Sequence, residues 1–177
     1  MSGAGNQQER PVSDVGAINA SLGSFLSGFA LGEGSFMVIC RRRSGSPRGF
    51  RLSAAFNVSQ HDPAPLELFR DTLRCGTMRR AGNGGWYWEV NALQDQIERI
   101  VPFFERFPLV GAKAQDFALW SQAVRLLGAP GLSDQDYRAV LSLREKMNRG
   151  GKRRYRMTGI LRDYTPTSPA EATGEMR

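Results

Sequence analysis

In the segment FLSGFALGEGSF, residues 25–36, a pattern typical of a helix is followed almost directly by a pattern typical of a strand. Residues 21–32 favour a helix, which Ser21 can cap at its start through its hydroxyl group. Gly32 and Gly34 can end this helix, because glycine lets a chain turn sharply and approach another backbone closely. We therefore expect the chain to leave the helix and enter the first strand at once.

The acidic residue of this segment, Glu33, lies at the predicted helix end between two glycines. Its carboxylate has no side chain beside it and is open to a metal ion. A solvated glutamate that follows a capped core helix is the alternative interpretation of the same pattern. Small residues allow this helix to pack closely on a second helix, and they are Gly23, Ser24, Ser27, Gly28 and Ala30.

Residues 50–60, FRLSAAFNVSQ, show the clearest strand pattern in the chain. Hydrophobic side chains take the even positions and mostly polar ones the odd positions, which predicts a half-buried antiparallel strand. The other predicted strands are 35–43, 75–80 and 86–91, and the other predicted helices are 63–74, 92–107, 113–127 and 133–148. The order α-β-β-α-β-β-α, followed by further helices, predicts an α+β fold with helices on one face of the sheet and an open polar face on the other.

Length and charge narrow the class of protein. The chain has 177 residues, of which 41% are hydrophobic, enough for one domain with a sizeable core. We expect that domain at residues 19–163, between flexible polar arms at 1–18 and 164–177. The formal charge of +7 favours a polyanionic partner. Of the 24 basic residues nearly all are arginines, which fits DNA contact. Arginine-rich codon usage explains that excess equally well.

The cysteines and the histidine exclude several enzyme classes. Cys40, Cys75 and His61 are too few for a zinc site, which takes about four ligands, unless carboxylates join them. A serine-histidine-aspartate site would need His61, and no serine lies in a G-x-S-x-G motif. No apolar run approaches the roughly 18 residues of a membrane span. The polar N-terminal residues do not form a signal peptide, so we expect a cytoplasmic protein with reduced thiols.

Segment 25–36 resembles the signature of the LAGLIDADG homing endonucleases. The opening positions are taken by Leu26-Ser27-Gly28-Phe29 and the acidic end by Gly32-Glu33-Gly34-Ser35, with Leu31 where an aspartate is usual. Three further stretches match the family patterns F-x-V-x-Q, P-x-F…Y-P-L…K-K and M-N-x-G. They are Phe56-Asn57-Val58-Ser59-Gln60, then Pro102-Phe103-Phe104 with Phe107-Pro108-Leu109 and Lys113, then Met147-Asn148-Arg149-Gly150.

The resemblance covers residues 21–152 and implies the LAGLIDADG homing endonuclease fold, with an antiparallel DNA-binding sheet and helices on the opposite face. One copy of the signature is present. Members with a single motif act as homodimers, in which the two signature helices pack side by side at the centre of the DNA site. The residues implied at this dimer interface are Ser24, Ser27, Gly28 and Leu31.

The resemblance also implies the active-site residues. Glu33 would be the catalytic acid and would bind a divalent metal ion together with the backbone carbonyl of Gly32. The expected ion is Mg²⁺, with Mn²⁺ or Ca²⁺ able to replace it in binding. Gln60 can hold the attacking water, and Lys113 can stabilise the charge that builds on the phosphate. The family usually has two adjacent lysines where this chain has Ala112-Lys113. A surface glutamine and a solvated lysine are the alternative interpretations.

In the family the open face of the sheet reads DNA, because twisted strands fit the major groove. Either Arg79 or Arg80 faces the DNA, and a one-residue slip would turn Tyr87 and Glu89 away from it. The residues that the resemblance and strand parity select are Ser35, Met37, Ile39, Arg41, Arg43, Arg51, Ser53, Asn57, Arg79, Arg80, Tyr87 and Glu89. Phosphate contacts are expected from Asn148, Arg149, Lys152 and Arg153, unless that run is a disordered basic tail.

The resemblance therefore predicts a site-specific endonuclease that makes a staggered, metal-dependent double-strand break in a long, partly palindromic DNA site and supports intron mobility. Its expected partners are double-stranded DNA, a second copy of itself and host intron RNA, without a membrane. Its expected location is the cytoplasm, bound to a bacterial nucleoid, or an organelle. The alternative is a catalytically inactive protein of the same family that binds nucleic acid, either an RNA maturase or a DNA-binding regulator.

Overall fold

Helix α1, Ala20–Glu33, passes into strand β1, Gly34–Arg42, without a loop residue between them. Gly34 has an extended backbone (φ −80°, ψ 149°), and its N–H donates to the carbonyl of Ala30. A Cβ atom on Gly34 would lie 2.5 Å from that carbonyl oxygen, so only glycine fits there. Gly34 thus ends the helix as predicted, through close approach rather than a left-handed turn, whereas Gly32 lies inside the helix.

The start of α1 differs from the prediction. The N-cap is Asn19, whose Oδ1 accepts hydrogen bonds from the backbone N–H groups of Ser21 (2.8 Å) and Leu22 (3.4 Å). Ser21, the expected cap, lies inside the helix instead. Asparagine supplies the same kind of side-chain oxygen as serine, so the cap chemistry is as expected and its position is two residues earlier.

The structure is a computed structural model and describes residues 15–44, 48–82, 84–150, 154–162 and 164. The predicted order of elements is confirmed. The remaining strands are β2 (Phe50–Gln60), β3 (Thr77–Arg80) and β4 (Trp86–Val90). The remaining helices are α2 (Ala64–Leu73), α3 (Leu93–Asp95), α4 (Val101–Arg106), α5 (Gly111–Gly128), α6 (Asp134–Lys146) and α7 (Met157–Arg162), with 3-10 helices at Val15–Ala17 and Met147–Gly150. In the part of the chain that is described, no helix is both long and apolar enough to cross a bilayer.

The four strands form one antiparallel sheet in the order β1-β2-β4-β3. Opposite residues share a face of the sheet, so the register sorts the side chains. The inner face carries Phe36, Phe56 and Trp88, which are at most 1% exposed beneath the helices. The opposite, outer face carries partly exposed side chains such as Asn57 and Tyr87. This arrangement confirms the predicted α+β class, with an open sheet face.

Aromatic rings fill the centre of the core. The ring of Phe56 lies 4.8 Å from that of Phe36, 5.3 Å from Phe104, 6.0 Å from Trp88 and 6.4 Å from Trp120, measured between centroids. All five side chains are 1% exposed or less. Edge-to-face and stacked pairs of this kind add to the stabilisation from buried area. Phe56 thus connects the sheet to α4 and α5.

We expect Phe56→Ala to lower the free energy of unfolding by about 3–5 kcal/mol, because it removes a fully buried ring and leaves a cavity. A domain of this size has about 5–15 kcal/mol in total, so the variant would be close to unfolding. Urea denaturation followed by circular dichroism measures the change. The control is Ser59→Ala on the outer face of the same strand, which should change stability by less than about 0.5 kcal/mol. Equal stability of the two variants would contradict this account of the core.

The helix predicted at residues 92–107 is interrupted by a π-helical turn at Gln96–Ile100. The N–H of Val101 donates to the carbonyl of Gln96, five residues back. The fully buried Gln96 side chain donates through Nε2 to the carbonyls of Ala54 (2.9 Å) and Val90 (3.1 Å). Gln96 therefore ties this helical segment to strands β2 and β4.

Arg144 is a second buried polar anchor. Its Nε donates to the carbonyl of Val38 on β1 (3.1 Å), and its Nη1 donates to the carbonyl of Tyr155 (2.9 Å). The side chain of the residue after it, Glu145, accepts the N–H of Met157 (3.3 Å). Arg144 and Glu145 therefore fix the C-terminal segment to α6. Arg144 also fixes α6 to β1, the edge strand of the sheet.

The described ends of the chain pack on the core. Val15 and Ile18 lie against it, although we expected a flexible arm up to residue 18. At the other end the ring of Tyr164 stacks on that of Tyr137 at 5.3 Å. Residues 1–14 and 165–177, which make up most of the two expected arms, lie outside the described residues.

Candidate functional site

Three predicted residues lie at one end of the sheet, where α1 meets β1. Glu33 is the last residue of α1 and is exposed. Lys113 lies in the first turn of α5, and its Nζ donates to the carbonyl of Gly34. Gln60 ends β2, two residues beyond Val58, the residue that pairs with Gly34. The fold therefore brings a carboxylate, an amide and an ammonium group to the same end of the sheet from three separate parts of the sequence.

The oxygen atoms at this end suit a hard cation. The last carbonyls of a helix have no partner within the helix, and its C-terminus carries partial negative charge. The Glu33 carboxylate and the carbonyl of Gly32 belong to that terminus. Divalent hard cations prefer such oxygen ligands. Among the described residues, no cluster of three or more histidine, cysteine, aspartate or glutamate side chains offers a complete metal site, so this end supplies only part of a coordination shell.

The thiols do not contribute a reactive group. Burial raises the pKa of the Cys75 thiol to about 12, and burial also raises the pKa of Cys40. Both thiols therefore stay protonated at neutral pH and are poor nucleophiles and metal ligands. His61 is exposed, and its backbone N–H donates to Oε1 of Gln60 (2.8 Å). Cys75 is buried and Cys40 is half-buried.

The register assigns the predicted residues of the sheet to faces. Arg79 pairs with Tyr87 and shares the outer face with it, whereas Arg80 pairs with Trp86 on the inner face, where its guanidinium lies 5.5 Å from the Trp86 ring centroid. The register thus places Arg79, and not Arg80, on the outer face. The outer face holds, from β1 to β3, Ser35, Met37, Ile39 and Arg41, then Arg51, Ser53 and Asn57, then Tyr87 and Glu89, then Arg79. Arg43 lies just beyond β1, and its N–H donates to the carbonyl of Gly49.

Charges on the outer face are distributed unevenly. Arg41 and Arg51 are directly opposite each other, and both are exposed. Like charges in this position destabilise a sheet unless an anion lies between them. Nearer the Glu33 end, Nε of Arg79 lies 3.0 Å from a carboxylate oxygen of Glu89. One arginine is therefore held in place by an acid, while two others leave their positive charge open to a partner.

The exposed face of α1 carries three of the four residues predicted at a dimer interface, Ser24, Gly28 and Leu31. A Cβ atom on Gly28 would meet nothing within 4 Å, so this face is flat and open. Ser27 is buried instead, and its hydroxyl donates to the carbonyl of Phe107 (2.8 Å). A cavity of about 320 Å³ lies between this face of α1 and residues 106–110.

Two exposed hydrophobic residues on this surface were not predicted from the sequence. Phe25 is 52% exposed and Val110 is 65% exposed. Phe25 lies three positions before Gly28, so helical periodicity within the signature would have identified it. Val110 precedes α5 in a loop, and no local signal in the sequence places it beside α1.

The basic run after α6 is described in part. Asn148 has a left-handed backbone (φ 50°), and its N–H donates to Asp116 (2.7 Å). Arg149 lies in the 3-10 helix Met147–Gly150. Lys152 and Arg153 lie outside the described residues. Asn148 is therefore fixed at the end of α6, beside the free edge of β1.

A sequence profile of the family described as LAGLIDADG endonuclease matches residues 26–124, more than half of the chain. The chain belongs to the LAGLIDADG endonuclease family. The match begins inside α1 and ends inside α5, so it includes the helix-to-strand step, the whole sheet, Gln60 and Lys113. The predicted LAGLIDADG fold is confirmed.

The similar proteins include an intron-encoded endonuclease and a meganuclease whose structures contain DNA. The probable intron-encoded endonuclease 3 of Neurospora crassa is 30% identical over 129 residues, which are 70% of this LAGLIDADG chain and 24% of that protein. The meganuclease I-SmaMI bound to uncleaveable DNA has a TM-score of 0.68 at 26% identity, covering 73% of this chain and 46% of that chain. I-SmaMI bound to an uncleaved DNA target in the presence of calcium ions has a TM-score of 0.71 at 24% identity, covering 85% and 51%.

The homing endonuclease I-TnaI has the same fold, with a TM-score of 0.68 at 23% identity. This LAGLIDADG chain is covered over 80% of its length, and I-TnaI over 94% of its own. By contrast, the chain spans about a quarter of the curated Neurospora crassa relative and about half of the I-SmaMI chain. The fold is therefore matched by nearly the whole of I-TnaI and by part of the longer proteins.

Proposed function

We infer that this LAGLIDADG protein is a site-specific DNA endonuclease that makes a staggered double-strand break in a long, partly palindromic site and supports the mobility of an intron. The observation that carries this inference is the meeting of Glu33, Gln60 and Lys113 at the end of a sheet whose outer face exposes arginines. An intron-encoded endonuclease among its relatives and the DNA in the I-SmaMI structures support the choice of substrate.

The oxygen atoms of Glu33 and the carbonyl of Gly32 are the ligands that this chain would offer to a divalent cation. We propose that the ion bound in the cell is Mg²⁺, and that Mn²⁺ or Ca²⁺ can take its place in binding. The structure of I-SmaMI with calcium ions and an uncleaved target supports a cation in this family. When bound, such an ion supplies positive charge to the phosphate and lowers the pKa of a bound water.

The side chains of Gln60 and Lys113 can act on the water and on the phosphate. The amide oxygen of Gln60 accepts one hydrogen bond, from His61, and has a second lone pair with which to orient a water molecule toward the phosphate. The Lys113 ammonium has three N–H donors, of which one is directed at the carbonyl of Gly34. The remaining donors can stabilise the negative charge that builds on the phosphate. Lys113 is thereby held beside Glu33 before DNA arrives.

The proposed enzyme acts as a homodimer, because each chain has one candidate catalytic acid. Two strands must be cut, and each chain contributes one Glu33 at the end of its α1. The exposed face around Gly28 and Leu31, with Phe25 and Val110, gives a second copy an apolar surface that brings the two α1 helices together. That contact would place both Glu33 carboxylates at the centre of the DNA site.

A catalytically inactive binding protein is the weaker explanation, because Glu33, Gln60 and Lys113 are all present at one end of the sheet. Leu31, at the position of the usual aspartate, lies on the exposed face of α1 and leaves Glu33 in place. A role with host intron RNA and a location in an organelle or on a nucleoid stay predictions.

The experiment is cleavage of a randomised duplex DNA library by the purified protein, in Mg²⁺ and separately in Ca²⁺, with sequencing of the cut ends. We expect staggered breaks at one partly palindromic sequence in Mg²⁺, and binding without breaks in Ca²⁺. Size-exclusion chromatography with light scattering gives the number of chains in the complex. Specific binding without any break in Mg²⁺ would overturn the nuclease and leave a DNA-binding regulator.

A further inference from the structure

The middle of the outer sheet face is mainly apolar, and Ser53 is its one described polar residue. Met37 is directly opposite Ala55, and Ile39 is directly opposite Ser53. Ala55 is 1% exposed, so the accessible surface here comes from the partly exposed Met37 and Ile39. We call Met37, Ile39 and Ala55 the apolar strip. None of its side chains can donate or accept a strong hydrogen bond, so it cannot read base edges by hydrogen bonding.

A recess continues the apolar strip over the free edge of β1. It has a volume of about 200 Å³ and is lined by Met37, Ile39, Met147 and Asn148, among others. Of its lining residues, Met147 is 1% exposed, and the backbone N–H of Asn148 donates a hydrogen bond to Asp116. The recess is several times larger than a methyl group, since a water molecule occupies about 30 Å³.

Polar groups border the apolar strip on both sides along the strands. Toward Glu33 lie Ser35 and Asn57, which are opposite each other, and toward the far end lie Arg41 and Arg51. Among the described residues, neither of these two arginines has an ion-pair partner. Their unneutralised charges favour a polyanion on this face. The occupant of the apolar strip must therefore be an apolar group that lies on a polyanion between two polar contacts.

The C5 methyl group of thymine is the one apolar feature that the major groove of DNA presents. We propose that Met37 and Ile39 select thymine in the middle of each half-site through this methyl group. Hydrogen-bonding residues then read the base pairs nearer the cleavage position, and Arg41 and Arg51 contact guanine edges or phosphates at the outer end. This inference rests on the proposed function and names the sequence chemistry of its substrate.

The test replaces single thymines of the selected target by deoxyuridine, which lacks only the methyl group and keeps every hydrogen-bonding group. Binding is measured in Ca²⁺ by fluorescence anisotropy. In the middle of the half-site we expect about fourfold weaker binding for each methyl group removed. Cytosine at the same position should bind more tightly as 5-methylcytosine than unmodified. At positions read by the polar residues, deoxyuridine should change binding by less than about twofold, as expected for a contact without burial of the methyl group.

Variants identify the side chains. In Met37→Ala and Ile39→Ala the effect of deoxyuridine should fall below about twofold, because the surface that buries the methyl group is gone. Leu68→Ala, which shortens an exposed apolar side chain in α2, is the matched control and should keep the full effect. The deoxyuridine series on the unaltered protein needs no variant, so the test stands even if one variant folds poorly.

The outcomes separate this inference from the proposed function. A specific target without thymine in the middle of the half-site, or equal binding of thymine and deoxyuridine there, overturns the inference alone. An unchanged deoxyuridine effect in both alanine variants also overturns it. A library that yields neither binding nor cleavage overturns the proposed function, and this inference fails with it.

Discussion

Glu33→Gln is expected to lower the rate of DNA cleavage by about a thousandfold or more, while the affinity for the same DNA in Ca²⁺ changes by less than about tenfold. The substitution keeps the shape of the side chain and removes one negative charge at the C-terminal end of α1. That charge belongs to the acidic side chain which α1 brings to the Gln60 and Lys113 end of the sheet. Under the proposed function, most of the affinity is expected to come from arginines on the outer face.

Single-turnover cleavage of the selected target at saturating protein measures the rate, and fluorescence anisotropy measures the affinity. The matched control is Glu67→Gln, an exposed glutamate in the first turn of α2, which should cleave at the rate of the unaltered protein. If Glu33→Gln cleaved as fast as Glu67→Gln, the catalytic assignment of Glu33 would be wrong.

Gly28→Arg is expected to separate the proposed dimer into folded single chains and to abolish double-strand cleavage. A side chain at this position meets nothing within 4 Å in one chain, so the fold accommodates it. Between two α1 helices the same side chain would bury an unpaired charge from each chain. The penalty for burying such a charge corresponds to a rise of about a thousandfold in the dimer dissociation constant.

Sedimentation equilibrium gives the dissociation constant, and thermal unfolding shows that each chain is intact. Gly159→Arg serves as the control, because Gly159 also has open space around it but lies in α7, away from α1. It should remain dimeric and active. A dimeric and active Gly28→Arg would show that copies of this protein meet elsewhere.

Local sequence patterns sufficed for the main features of the fold. The alternation of residues 50–60 fixed the two faces of β2, and the register then carried that assignment to β1 and β4. Tyr87 and Glu89, which strand parity selected, lie on the outer face. These predictions succeeded because a half-buried strand alternates hydrophobic and polar residues along the local sequence.

Other features depend on contacts that are distant in sequence. The four residues of β3 include no alternation, so only pairing with β4 could separate Arg79 from Arg80. Ser27 is hydrogen-bonded to a carbonyl 80 positions away, and Gln96 bonds to two strands at once. No local pattern predicts such burial of polar side chains, because the partner that makes burial favourable is absent from the local sequence. The family resemblance supplied the candidate site, which spacing alone could not.

The anchor formed by Arg144 has a consequence for how copies of this protein associate. A nine-residue edge strand with hydrophobic side chains, such as β1, is a template on which a strand of another chain can add and begin an aggregate. Arg144 engages the carbonyl of Val38 in the middle of that edge, and Arg41 and Arg42 place charge at its end. Growth of the sheet by an added strand is thereby opposed. The exposed face of α1 is on a different side of the molecule, and a two-fold contact there, as proposed above, would close after two chains instead of continuing as a fibril.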